Sequence, residues 1–129
     1  MLPSSTPLSL VYFSPTGNSR RVALHIGRGT GLPLTELDRT LLPAREYQHQ
    51  FSSAEIVLFS LPVYGGRLPV VAGDFFDGLR GDRTPAILAV TYGNRHYDDA
   101  LRELQALAES HGFLPVAAGA FVGQHTFNA

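Results

Sequence analysis

Two stretches of this chain, Ile56-Val57-Leu58-Phe59 and Ala86-Ile87-Leu88-Ala89-Val90, are apolar at every position. A strand with one face in water alternates apolar and polar residues, whereas a strand covered on both faces does not. The two runs therefore belong at the centre of a mostly parallel sheet with helices on either side. Around them, short apolar runs alternate with amphipathic stretches, the pattern of an α/β fold. The predicted strands are Leu8–Phe13, Leu34–Leu37, Glu55–Leu61, Pro85–Thr91 and Leu114–Val122.

Three helices are predicted, at Ser19–Gly27, Leu68–Leu79 and Asp98–His111. In the last, Leu101, Leu104, Leu107, Ala108 and His111 share one face, while Arg102, Glu103, Gln105 and Glu109 point outward. Asp98 and Asp99 suit the positive end of its dipole, and Gly112 is placed to end it. In the second, Leu68, Val71, Ala72, Phe75 and Leu79 form a similar stripe, with Pro69 near the first turn. Leu41–Phe51 reads equally as a short helix or a loop. A sheet of this kind normally closes with a helix after its fifth strand, and only Gly123–Ala129 follow here. The C-terminal closing helix is thus expected to be absent. A truncated domain, a second copy of the chain or a partner covering the open face would each account for it.

At 129 residues the chain is expected to form one domain, residues 1–129. With 44% hydrophobic and 16% charged residues it reads as globular, not disordered. A net charge of −1, with arginines scattered beyond Arg20-Arg21, gives no reason to expect nucleic acid. There is no cysteine, hence no disulfide, thiolate metal ligand or cysteine nucleophile, which excludes the low-molecular-weight tyrosine phosphatases of similar fold. The first residues have no signal-peptide pattern and no apolar run is long enough to span a membrane, so a cytoplasmic protein without membrane contact is expected.

In open α/β sheets ligands sit beyond the carboxyl ends of the strands, where strand order reverses. For a doubly wound five-stranded parallel sheet of order 2-1-3-4-5, the turns after the first, third and fourth strands meet there. The first is Ser14-Pro15-Thr16-Gly17-Asn18-Ser19. Backbone N–H groups of Thr16, Gly17, Asn18 and Ser19 and hydroxyls of Ser14, Thr16 and Ser19 can converge on one phosphate monoester at a helix N-terminus. All ten basic residues are arginines, so this is not a Lys-bearing phosphate loop, nor has it the glycine spacing of a dinucleotide site. The same residues would also make an ordinary helix cap.

The turn after the third strand is Pro62-Val63-Tyr64-Gly65-Gly66-Arg67. Tyr64 can stack on a flat ring, and the two glycines permit close approach and positive φ. A plain turn with a half-exposed tyrosine fits equally. After the fourth strand come Thr91-Tyr92-Gly93-Asn94-Arg95-His96-Tyr97-Asp98-Asp99, either a ligand-binding loop or a solvated loop leading into a helix cap. A phosphate cradle at one end and two aromatic loops at the other match the shape of flavin mononucleotide, FMN.

The Ser-Pro-Thr-Gly-Asn-Ser turn resembles the phosphate loop of flavodoxins. The segments at residues 62–69 and 92–101, with Gly112-Phe113 and residues 123–127 after them, look like the flavodoxin half of the flavodoxin–ferredoxin fusion family. The closing helix and cysteine-rich module of that family are missing. The resemblance implies an electron carrier that holds FMN noncovalently and cycles between quinone, semiquinone and hydroquinone with a redox partner protein. It implies phosphate binding at residues 14–19, a first stacking candidate in Tyr64, and Tyr92 or Tyr97 as the second. Pro62, Val63, Gly65, Gly66, Thr91, Gly93, Asn94, Arg95 and Asp98 complete the expected site, with a backbone flip least hindered at Gly65-Gly66.

Asp98 and Asp99 would disfavour an anionic hydroquinone and Arg67 and Arg95 would favour it, so the potential stays open. His25 and His111 are expected to be structural, while His96 and His125 lie nearer the crevice. Besides a flavin-free binding or interaction module that keeps the fold, two alternatives remain. One is the small flavodoxin-like activator of manganese ribonucleotide reductase, which the Arg-His-Tyr-Asp-Asp continuation fits less well. The other is an NAD(P)H-dependent flavin reductase, for which no second nucleotide signature is visible.

Overall fold

A computed structural model describes residues 5–45, 47–69, 71–93 and 97–122. The elements in chain order are β1 (Leu8–Tyr12), α1 (Asn18–Thr30), β2 (Leu34–Asp38), α2 (Leu42–Arg45), β3 (His49–Gln50), β4 (Ile56–Pro62), α3 (Ala72–Phe76), β5 (Leu79–Arg80), β6 (Thr84–Tyr92), α4 (Asp98–Ser110) and β7 (Phe113–Val122). Five strands pair in parallel in the order β2-β1-β4-β6-β7, which is the 2-1-3-4-5 order expected for the five long strands. β3 and β5 form a separate two-stranded ribbon.

The unbroken apolar runs lie where their composition requires. β4 is buried from Ile56 to Leu61, with β1 on one side and β6 on the other. On one face α1 packs across β1, β4 and β6. Ala23 and Gly27 let it approach closely, since a Cβ at Gly27 would lie 3.1 Å from methyl carbons of both Leu10 and Leu34. On the other face α4 lies over β6 and β7, with Ala100, Leu104 and Ala108 against the sheet.

That second face has an aromatic core. Phe59 of β4 has its ring centroid 4.7 Å from Phe76, 4.9 Å from Phe113 and 6.3 Å from Phe75. Full burial of a phenylalanine contributes about 2–3 kcal/mol. Phe75 and Phe76 therefore anchor α3 although it is only five residues long.

The helix predicted at Leu68–Leu79 shrinks to this single turn. Gly73 and Asp74 are weak helix formers, and Gly78 takes a φ of +79° that ends the element. Leu79 then enters β5 instead of continuing the stripe. The ambiguous segment Leu41–Phe51 resolves into α2 and β3, and β3 is held in register by β5. β7, ten residues long, is the last element among the described residues. It forms one edge of the sheet, with Leu114 41% and Val116 65% exposed and a register shift against β6 next to Pro115. No helix of the described residues is long and apolar enough to cross a membrane.

Arg39, just beyond β2, is 1% exposed, so its guanidinium sits inside the protein. It donates from Nε to Phe75 O at 3.0 Å, from Nη1 to Ala44 O and Tyr47 O at 3.3 and 3.1 Å, and from Nη2 to Asp77 O at 2.5 Å. One side chain thus ties the end of β2, the α2 region and the carboxyl end of α3 together. Removing a buried partner of this kind leaves carbonyls unpaired at about 1–3 kcal/mol each, partly relieved by water. Arg39→Met is expected to lower stability by on the order of 3 kcal/mol, read as a lower midpoint in chemical denaturation. A change under about 0.5 kcal/mol would show that the clamp is not structural.

Candidate functional site

β1 and β4 are adjacent, and their following connections leave in opposite directions, β1 towards β2 and β4 towards β6. The carboxyl ends of β1, β4 and β6 therefore form the crevice, and the loops after them carry the predicted residues. Tyr12 stands opposite Ser60, and Pro62 opposite Thr91.

The first loop, Ser14–Ser19, is braced from three sides. The Ser14 N–H donates to Thr40 Oγ1 at 2.9 Å, and Ser14 Oγ accepts the Arg20 N–H at 3.0 Å. Beneath it, Ser60 Oγ donates to Ser19 O at 2.8 Å in a buried bond. Gly17 has a φ of +87°, a left-handed value that a side chain would strain. Its N–H closes the turn on Ser14 O at 3.3 Å, and its carbonyl accepts the Arg21 N–H. Of the four backbone donors predicted to converge, Gly17 is thus engaged within the loop. The N–H groups of Thr16, Asn18 and Ser19 donate to no protein acceptor among the described residues. Three open donors at the head of a 13-residue helix make a receptive place for an anion.

The second loop is a tight turn. Tyr64 N–H donates to Arg67 O at 2.8 Å and Arg67 N–H to Tyr64 O at 3.1 Å, with Gly65 and Gly66 at φ +60° and +83°. Positive φ at both central positions is the type I′ arrangement, which glycine alone adopts without strain. Val63 N–H is fixed to Thr91 O at 2.8 Å, joining this loop to the third. Tyr64 is 52% exposed and makes no ring contact among the described residues.

In the third loop, the Tyr92 and Tyr97 rings pair with centroids 4.8 Å apart. The Thr91 hydroxyl, in a residue 5% exposed, has no hydrogen-bond partner among the described residues. Asp98 opens α4, and Gly65, Gly66 and Arg67 face Asp98, Asp99 and Arg102 across an open cleft of about 420 Å³. Asn94 and Arg95 lie outside the described residues, as do His96 and residues 123–129. His25 is exposed, and His111 packs on Phe76 with Nδ1 3.0 Å from Leu79 O. A second cleft, of about 470 Å³, is lined by Gln50, Phe51, Ser52, Glu55, Arg80, Gly81 and Asp82. It lies at the amino ends of β4 and β6, away from the three loops.

The charges at the crevice are organised in pairs that the sequence pattern did not show. Arg20 forks onto Glu36 at 2.8 and 3.3 Å, and Tyr12 donates its hydroxyl to the same carboxylate at 2.9 Å. Burial and the Glu36 bond push the Tyr12 phenol up to about 12. Glu103, predicted to face outward, instead turns back to Arg67, at 2.7 and 3.0 Å. Arg21 folds over the first loop and donates to Asn18 Oδ1. Thr40, Ser60, Arg21 and Glu103 were thus missed in the sequence reading. Thr40, Ser60 and Glu103 come from distant segments and meet the loops only through the fold, whereas Arg21 reaches Asn18 within the first turn of α1.

No family model and no curated protein matches this chain. Solved structures do. A flavodoxin of Streptococcus pneumoniae TIGR4 superposes with a TM-score of 0.65 at 17% identity, covering 95% of this chain and 90% of that one. A flavodoxin from the domain Archaea gives 0.64 at 14%, with 95% and 87% covered. The fold is that of the flavodoxins. A flavoprotein of Lactobacillus acidophilus NCFM, solved in complex with FMN, gives 0.56 at 12%, with 90% and 93% covered. These neighbours are flavodoxins and flavoproteins at large and do not single out the flavodoxin–ferredoxin fusion family.

The ion pairs carry a pH dependence. Hydrogen bonds from Arg20 and Tyr12 hold the Glu36 carboxyl below its ordinary 4.5, and Arg67 does the same for Glu103. A depressed folded value stabilises the protein above the unfolded pKa, and that stability is lost as pH falls through the folded value. Thermal midpoints are expected to fall below about pH 4, and to fall less steeply in Glu36→Gln/Glu103→Gln. Parallel acid limbs for the two proteins, followed by circular dichroism, would remove the pairs as the cause.

Proposed function

We propose that this flavodoxin-fold domain binds FMN noncovalently and serves as an electron carrier for a partner protein. The observation that carries the reading is the set of three open N–H donors, of Thr16, Asn18 and Ser19, joined through one crevice to the exposed Tyr64 ring. Together they offer an anion site and an aromatic platform on adjacent loops. The neighbours named above support the flavin, and one of them is an FMN complex.

The residues present fit that group. The phosphate would take the donors that the loop leaves open, without a counter-charge from lysine. The orphaned Thr91 hydroxyl, buried at the foot of the crevice, would regain a partner from a polar group of the ligand. Tyr64 would cover one ring face, with the Tyr92–Tyr97 pair bounding the third loop. When bound, FMN supplies electron transfer in steps of one or two electrons. The chain itself binds, orients and partly shields it. The half-exposed Tyr64 and the open cleft leave one edge accessible to a partner protein, as a carrier requires.

The phosphate and the ring are tested separately by titrating the protein with FMN and riboflavin. FMN is expected to bind about 100-fold more tightly, the equivalent of one or two charge-assisted hydrogen bonds. Gly17→Val is expected to weaken FMN by about tenfold or more while leaving riboflavin unchanged, because the strain falls on the phosphate loop alone. Tyr64→Ala is expected to weaken both by a similar factor, about tenfold. Equal affinities for the two flavins in the unsubstituted protein would overturn the phosphate assignment, and no binding of either would overturn the flavin reading.

A further inference from the structure

The Tyr64–Arg67 turn is secured to the helix across the cleft by one carboxylate. Glu103, in the second turn of α4, accepts from Arg67 Nε at 2.7 Å, from Arg67 Nη2 at 3.0 Å and from the Leu68 N–H at 3.2 Å. Two of these bonds form the bidentate fork that suits arginine and carboxylate, and the third fixes the backbone next to it. The turn closes on itself only through the reciprocal Tyr64 and Arg67 bonds. At its centre a Cβ on Gly65 would meet nothing within 4 Å. The middle of the turn is thus open while its far end is anchored to α4.

The same carboxylate also bears on charge at the cleft, whose own acidic lining is Asp98 and Asp99. Arg67 and Arg102 both line it, and each has an acidic partner, Glu103 for Arg67 and Asp99 for Arg102 at 3.8 Å. The Arg67–Glu103 pair is the closer and is bidentate, so it cancels a positive charge at the edge of the Gly65–Gly66 turn.

We propose that Glu103 is a positioning residue: it anchors the carboxyl end of the Tyr64–Arg67 turn to α4 and neutralises Arg67 beside the ligand cleft. Its effect on a flavin rests on the FMN reading, whereas its effect on the turn does not. In Glu103→Gln the shape and one acceptor oxygen remain, while Arg67 loses its bidentate counter-charge and keeps only the more distant Asp99. In Arg67→Gln/Glu103→Gln the local charge returns to balance but the fork is gone. Comparing the two separates anchoring from charge.

Two measurements decide it. Amide hydrogen exchange on the flavin-free protein is expected to show protection at Arg67 and Leu68 falling by about tenfold or more in both variants, with the β4 amides unchanged. Glu103→Asp is expected to keep part of that protection. In the FMN-loaded protein the midpoint potential is expected to rise in Glu103→Gln, since a less compensated cation favours the added electron, and to return towards the starting value in the double variant. Unchanged exchange at Arg67 and Leu68 overturns the anchor whether or not flavin binds. Equal potentials in the single and double variants overturn the charge role. If the unsubstituted protein takes up no FMN, the function proposed above and the charge role fall together, and lost exchange protection still supports the anchor.

Discussion

The parallel pairing of β1 with β4 is the constraint from which the crevice follows. It sets Tyr12 against Ser60 and sends the two strands out at the same edge with opposite onward directions. Buried on both faces, the pair has little freedom to slip, because a shift by one residue would turn core side chains to the wrong side. Ser60 then reaches Ser19 from below, and Phe13 N–H donates to Ser60 O at 3.1 Å. The first loop is therefore seated on the neighbouring strand as well as on its own helix. A cradle of exposed backbone donors stays open only if its frame does not collapse on them, and this seating supplies the frame.

The other loops depend on the same sheet less directly. The second is tied to β6 by the Val63 bond to Thr91 and to α4 by Glu103. Arg39 works at a greater distance. Its contacts bind the segment after β2 to the α3 region, and the next residue, Thr40, receives the Ser14 N–H of the first loop. Rigidity at the crevice thus comes from polar contacts outside it, while the apolar core beneath supplies most of the stability.

The central strands were legible because they are buried on both faces. Their apolar runs have no competing explanation as loops, and their order is the one expected of a doubly wound five-stranded sheet. Asp98–Ser110 was legible by its periodicity, to within one residue. The helix predicted at Leu68–Leu79 failed because tertiary packing overrode the stripe. Phe75 and Phe76 satisfy the core within one turn, and Gly78 turns the chain towards β5. The three loops could be named from glycines and hydroxyls, which act locally. Arg39, Thr40, Ser60 and Glu103 act across 26 to 41 residues of sequence, and nothing local marks them. A buried arginine held largely by carbonyls looks, in sequence, like any surface arginine.

The exposed margin of β7 has a further bearing on how the chain behaves at high concentration. A long, flat, apolar edge is a template for adding strands from other molecules, the first step towards a fibril. Pro115 interrupts the row of donors there, and the adjacent register shift bends the strand out of flatness. Pro115 and the register shift thus make the edge at β7 a poor template for further strands, although Leu114 and Val116 are exposed beside it.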